Sequence, residues 1–152
     1  NIQPGGRINS KYNEEVFLVS VSMMLLALTS CTTTGPEVEK WERMSFVSEE
    51  TTIDNSGNIS IPAEGGTYHI KCINYEQIDF NYNSLIEDDI EMDTEKSLPK
   101  YELNGNWTKV MLKGNILTVT IKPNDSGKER RTVLLTYFLG ATGSLTFNQA
   151  AE

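Results

Sequence analysis

Beyond residue 57, apolar and polar residues alternate with period two over most of the chain, and that rhythm predicts strands. It is clearest over residues 115–149. Asn115 to Lys122 runs Asn-Ile-Leu-Thr-Val-Thr-Ile-Lys, and Arg131 to Phe138 runs Arg-Thr-Val-Leu-Leu-Thr-Tyr-Phe. Ser144 to Gln149 runs Ser-Leu-Thr-Phe-Asn-Gln. β-Branched and aromatic residues fill these runs, and Asn124-Asp125-Ser126-Gly127 and Gly140-Ala141-Thr142-Gly143 supply turn chemistry between them.

The preceding residues follow the same rule with interruptions. Asn58 to Ile61 is a short alternating run stopped by Pro62, the character of an edge strand. Gly65-Gly66 makes a turn, and Thr67 to Ile73 then sets Tyr68, Ile70 and Cys72 against His69 and Lys71. Glu76 to Asn83 sets Ile78, Phe80 and Tyr82 against Asp79, Asn81 and Asn83, with Asn74-Tyr75 as a tight hairpin between the two strands. Leu85 to Asn106 breaks the rhythm: it is acidic, interrupted by Pro99 and closed by Asn104-Gly105-Asn106. A connection this long is functional or poorly ordered in a compact domain, and one irregular strand is expected near Tyr101 to Leu103. Trp107 to Lys113 resumes a strand, and Gly114-Asn115 is a two-residue hairpin loop. Val38 to Phe46 fits either a short helical face through Val38, Trp41 and Met44 or a strand; a strand beginning near Arg43 is preferred.

The expected fold is all-β: an immunoglobulin-like antiparallel two-sheet sandwich of seven to eight strands. Its expected core is Tyr68, Ile70, Cys72, Ile78, Phe80, Leu117, Val119, Ile121, Val133, Leu135, Tyr137, Leu145 and Phe147. Leu134 and Phe138 fall on the opposite face and need a cover from the N-terminal segment or the long connection.

Val16 to Ser30 is apolar or small throughout, too short for a transmembrane helix of ~20 residues but suited to the apolar region of a secretory signal. It runs into Leu28-Thr29-Ser30-Cys31, which resembles the lipobox at which bacterial lipoproteins are cleaved and acylated. Glu14 and Glu15 stand where positive charge is expected, the chain opens on Asn1 so that its true start is left open, and a buried hydrophobic helix is the alternative. The expected layout is a signal peptide over residues 1–30, a lipid-attached tether over 31–42 and a sandwich domain over 43–152. The tether, rich in threonine with Gly35 and Pro36, is extended and lifts the domain from the membrane.

Charge and cysteine usage fit an exported protein. The net charge is −8, and it stays −8 if Arg7, Lys11, Glu14 and Glu15 leave with the signal, which argues against nucleic acid or an anionic membrane surface as partner. The membrane link is then through lipid on Cys31 alone, with the protein anchored to the outer membrane on its periplasmic face or at the cell surface. Acylated Cys31 would leave Cys72 without a partner, so the domain is held by core packing rather than a disulfide.

These elements together resemble a known family. The Gly-Gly turn entering a strand at Ala63 to Thr67, the strand at Trp107, and Leu117 to Asn124 as Leu-Thr-Val-Thr-Ile and an Asn-bearing turn are followed by Arg131-Thr132-Val133 and Leu-Thr-Phe-Asn-Gln. Over about residues 57–150 the pattern resembles the BACON domain of exported Bacteroidetes proteins, an immunoglobulin-like sandwich often found beside glycan-degrading modules. The resemblance implies a carbohydrate- or mucin-binding module or a spacer. It carries no fixed binding motif, and the stretch from Cys72 to Asn106 is longer and more acidic than the family's pattern.

Candidate chemistry is sparse. If the acidic run is extended, Glu87, Asp89, Glu91, Asp93 and Glu95 share one face, and Asp89, Glu91 and Asp93 are a weak calcium candidate. Thr94 stands where an EF-hand loop needs glycine, so a solvated acidic loop is preferred and no cofactor is expected. Adjacent acids on one loop do not give the paired carboxylates of a glycosidase. His69 is the only histidine, expected in solvent; Cys72 is expected as a buried, inert thiol. The remaining candidates for a ligand site are Tyr101 and Trp107 with Asn104 and Asn106, through stacking on sugar rings and hydrogen bonds to hydroxyls. Trp107 packed in the core is the alternative and the preferred one. The expected function is a non-enzymatic cell-envelope lipoprotein, a carbohydrate- or mucin-binding accessory module. The alternative is a structural spacer or protein-interaction subunit of a surface complex, with an envelope protein as partner.

Overall fold

The computed structural model describes residues 41–81, 83–92 and 101–152; Cys31, the signal and most of the tether lie outside these, as do Tyr82, Asp93 and Glu95. The described residues form ten strands and no helix: β1 Phe46–Ser48, β2 Asn58–Ile61, β3 Gly66–Cys72, β4 Leu85–Glu87, β5 Ile90–Glu91, β6 Glu102–Asn104, β7 Thr108–Lys113, β8 Ile116–Ile121, β9 Arg130–Phe138 and β10 Ala141–Gln149. They make two five-stranded sheets, ordered β1-β3-β8-β7-β6 and β2-β10-β9-β4-β5. The two-sheet sandwich is the expected fold. All pairings are antiparallel except that of β2 with β10, which is parallel.

The core is built from the alternating faces. Tyr68, Ile70 and Cys72 of β3, Leu117, Val119 and Ile121 of β8 and Leu145 and Phe147 of β10 are buried as the period-two pattern requires. β2 is an edge strand closed by Pro62, as expected. In the loop before it, both carboxylate oxygens of Asp54 are used: Oδ1 accepts from the backbone of Ser56 and Asn58, and Oδ2 from the Asn58 amide. The Asn58 side chain, first among these donors, holds the Asp54 carboxyl below its ordinary range.

β9 departs from expectation by one residue. Thr132, Leu134 and Thr136 face the core, while Val133, Leu135 and Tyr137 face outward. A one-residue shift exchanges every side chain between faces, and here two threonines occupy inward positions. Both are satisfied inside: Thr132 Oγ1 accepts from Trp107 Nε1 at 3.0 Å and lies 3.0 Å from Thr108 Oγ1, and Thr136 Oγ1 lies 3.2 Å from Met44 Sδ. Leu134 is therefore core, needing no separate cover.

The segment after β3 also differs. Asn74-Tyr75 is not a hairpin, because the chain crosses there from the first sheet to the second. Asn74 Oδ1 accepts from Ser45 N, and Asp79 bridges to Tyr137 in β9. Ile78 and Phe80 are buried as expected, but in a crossing rather than a regular strand. The stretch read as a loose connection likewise contains β4 and β5, a short hairpin at the edge of the second sheet, and β6 at the edge of the first. Expected strands near Arg43 and Tyr101 appear as β1 and β6, each starting slightly later. The final turn is Leu139-Gly140, and Ala141 to Gly143 belong to β10.

Candidate functional site

The acidic run is not an extended face of carboxylates. β4 and β5 meet at Asp88-Asp89, both with positive φ (45° and 69°), so the turn breaks the alternation. Glu87 points inward and is buried. Its Oε2 accepts from Asn106 N at 2.8 Å, and its Oε1 accepts from Trp107 N at 3.1 Å and Thr108 N at 2.8 Å. One carboxylate thus holds the tip of the β6–β7 hairpin in one sheet to β4 in the other. Gly105 is needed here, because a Cβ at that position would collide with the Glu87 carboxylate. Asp88 Oδ1 accepts from Arg131 N at 2.8 Å, and Asp89 pairs with the Arg131 guanidinium. The candidate calcium set is correspondingly altered: Asp89 is engaged by arginine, Glu91 lies beyond the turn, and Asp93 is outside the described residues.

The four ligand candidates do not converge. Trp107 sits at the tip of the β6–β7 hairpin, whereas Tyr101, whose carbonyl accepts from Leu112 N, lies at the other end of it. Trp107 is half-buried, packed against the core rather than within it as the sequence reading preferred. Its Nε1–H is taken by Thr132, and the Arg130 guanidinium covers the ring at 4.8 Å from its centroid. Asn106 is tied to Glu87 through its backbone, and its carbonyl accepts from Lys122 Nζ at 2.8 Å. Asn104 Nδ2 donates to Glu102 Oε1, and the neighbouring Lys109 ammonium holds the Glu102 carboxyl below its ordinary range. Cys72 is fully buried.

His69 is exposed, as expected, but not alone. Its Nδ1 lies 2.9 Å from Glu50 Oε1, and Ser48 Oγ donates to Glu50 Oε2 at 2.9 Å. The histidine contact, then the serine, lowers the Glu50 carboxyl to about 2. The order of the three groups matters chemically. The carboxylate is central, so the serine proton goes to glutamate and no imidazole activates the hydroxyl, unlike a serine–histidine–acid triad.

The outer face of the second sheet is more coherent. β10 presents Thr142, Ser144, Thr146 and Asn148 outward, and β2 adds Ser60 beside Asn148. Next to this column runs the outward face of β9, with Arg131 at one end and then Val133, Leu135 and Tyr137; Thr142 pairs with Tyr137 and Asn148 with Arg131. At the Arg131 end the face deepens into a groove whose lining includes Ser60, Asp88, Glu129, Arg130, Arg131 and Asn148. The result is a flat ladder of uncharged donors and acceptors flanked by an aliphatic and aromatic strip. The period-two pattern showed these residues as polar positions; only the parallel pairing of β2 with β10 brings Ser60 alongside them.

Compared with known proteins, the chain matches no protein-family model and no curated protein. Among solved structures it is similar to a protein from Bacteroides thetaiotaomicron determined by NMR, with 25% sequence identity and a TM-score of 0.55. The similarity covers 74% of this chain and 86% of that one.

Proposed function

We propose that this chain is a BACON-like, non-enzymatic lipoprotein of the cell envelope whose domain binds a neutral glycan across the outer face of the second sheet. The observation that carries the reading is the hydroxyl and amide ladder of Ser60, Thr142, Ser144, Thr146 and Asn148 beside Tyr137. Sugar recognition needs uncharged hydrogen-bonding groups next to an apolar or aromatic surface, and this face supplies both along an extended strip. Asp89 is paired with the Arg131 guanidinium and Asp88 leaves a net negative charge at its end, which favours a neutral sugar over an acidic one. The similar Bacteroides thetaiotaomicron protein is consistent with the BACON-like resemblance. Isothermal titration of the protein with neutral and acidic oligosaccharides tests the reading. Neutral chains should bind, and Tyr137→Ala should weaken them about tenfold, the equivalent of ~1.4 kcal/mol. Absence of heat with every neutral glycan, or an unchanged affinity in Tyr137→Ala, would remove the proposal.

Anchoring at Cys31 is the second part of the reading, supported by the apolar run that leads into it. Cys31→Ala should leave the protein unacylated, with the apolar leader uncleaved. Mass spectrometry that finds no acyl chain on Cys31 in the native protein would refute it.

The outer face of the first sheet favours a protein partner as the alternative. There Val47, Met111 and Ile116 are exposed among Lys71, Lys109 and Lys113. Cross-linking from cysteines introduced at Lys71 and Lys113 to one stoichiometric envelope protein would favour this reading; failure to capture any would count against it.

A further inference from the structure

Both ends of the sandwich carry loops, but their surface chemistry differs. One end holds the Gly114-Asn115 hairpin, the start of the crossing after β3, and the β9–β10 turn. Trp41, Ile73, Tyr101 and Leu139 are all there, and they are 44%, 58%, 58% and 72% exposed. Their placement at this end follows from their contacts. Trp41 packs on Gly140, where a Cβ would meet its indole, and Ile73 N donates to Ser45 O. Tyr101 O accepts from Leu112 N at the end of β7, and Leu139 is the first residue of the β9–β10 turn.

Leu139 is the most informative of the four. Its φ is 56°, a left-handed conformation that glycine or asparagine adopts at lower cost than a branched aliphatic residue. It is also the most exposed large apolar residue of the described chain. An apolar side chain held out at a turn tip in a disfavoured conformation is of use to something outside the domain.

We propose that this end of the sandwich rests on the lipid surface, with Trp41, Tyr101, Ile73 and Leu139 at the boundary between headgroups and acyl chains; this rests on the anchoring reading for Cys31. Tryptophan and tyrosine favour that boundary, and aliphatic residues beside them enter the apolar layer. The sequence supplies the geometry. Only nine residues separate Cys31 from Trp41, ten residue steps with a reach of at most about 35 Å at ~3.5 Å per step, and Trp41 is at this end of the domain. Charged groups nearby include Glu42, Glu76 and Lys113, of both signs, so zwitterionic headgroups suffice. The tether then allows contact instead of holding the domain away. The sheet faces stand roughly along the membrane normal, leaving the outer face of the second sheet open to solvent.

The chain contains two tryptophans, which makes the test internal. Trp41 lies beyond one end of β9, and Trp107 is stacked with Arg130 at the other. Eight residue steps at ~3.3 Å separate these ends by about 26 Å. The full acylated chain, reconstituted into phosphatidylcholine vesicles brominated near the top of the acyl chains, is examined as Trp41→Phe and as Trp107→Phe. With Trp107→Phe, the remaining Trp41 emission should be quenched and blue-shifted; with Trp41→Phe, the Trp107 emission should be unchanged. Leu139→Asn, which suits a positive φ and keeps the turn, should reduce the quenching of Trp41. If the protein floats with the vesicles but Trp41 is not quenched, the membrane contact is refuted while the anchor survives. If the protein does not float, both are refuted.

Discussion

Replacing Glu87 with alanine is expected to destabilise the domain by about 3–5 kcal/mol, the range for removing one partner of a buried charged hydrogen-bond network. The carboxylate accepts from three consecutive backbone N–H groups, those of Asn106, Trp107 and Thr108. Hydrogen bonds to a charged group contribute about 1.5–3 kcal/mol each, and a buried donor left without a partner costs a further part of that. Alanine removes all three acceptors at once and leaves a cavity against Gly105. Glu87→Gln is the more discriminating variant. Its volume is nearly unchanged, but its amide group turns two donors toward donors, so it too should destabilise, by about 2–3 kcal/mol. Urea unfolding followed by circular dichroism measures both. A loss of less than ~1 kcal/mol for both variants would mean that the carboxylate is not the link between the sheets.

Leu134→Ala is expected to cost about 2–5 kcal/mol, and its neighbour Leu135→Ala less than ~1 kcal/mol. Leu134 is fully buried opposite Leu85 and Leu145, whereas Leu135 is 38% exposed on the outer face. The two variants delete the same atoms one residue apart, so their difference reports which face of β9 is inside. At ~4–8 °C per kcal/mol for a domain near a hundred residues, thermal melting separates them easily. If Leu135→Ala were the more damaging, the register of β9 would be inverted.

The one-residue offset of β9 from its expected faces shows where sequence patterning succeeds and fails. On β3 and β8, apolar residues occupy every inward position and polar ones the outward positions, so the faces were legible. On β9, Val133-Leu134-Leu135 is apolar on both faces, and Thr132 and Thr136 tilt the pattern the wrong way. Their hydroxyls find partners on Trp107, Thr108 and Met44, residues 24 or more positions away, which local alternation does not reveal. Glu87 failed for the same reason. A carboxylate in an acidic run looks solvated until the donors at residues 106–108 are placed around it. The Glu50–His69 pair likewise depends on the pairing of β1 with β3.

The candidate site was legible only in part. The sequence drew attention to Tyr101, Trp107, Asn104 and Asn106 because aromatic and amide residues in loops are suited to sugars. In the fold, Trp107 is committed to Thr132 and Arg130, and Tyr101 is at the far end of the same hairpin. The hydroxyl residues of β10 carried no such signal, since threonine and serine on alternate positions describe any solvated strand. Their significance came from sheet order: the β10 column lies between Ser60 of β2 and the Val133–Tyr137 strip of β9.

The central claim is that this face takes the glycan, and amide-resolved NMR during titration with the neutral oligosaccharide that gives the largest calorimetric heat tests it most directly. The predicted result is a set of shifts confined to β2, β9 and β10, centred on the amides of Tyr137, Thr142, Ser144, Thr146 and Asn148. Shifts centred instead on Tyr101 or Trp107, or on Val47, Met111 and Ile116 of the other sheet, would contradict it.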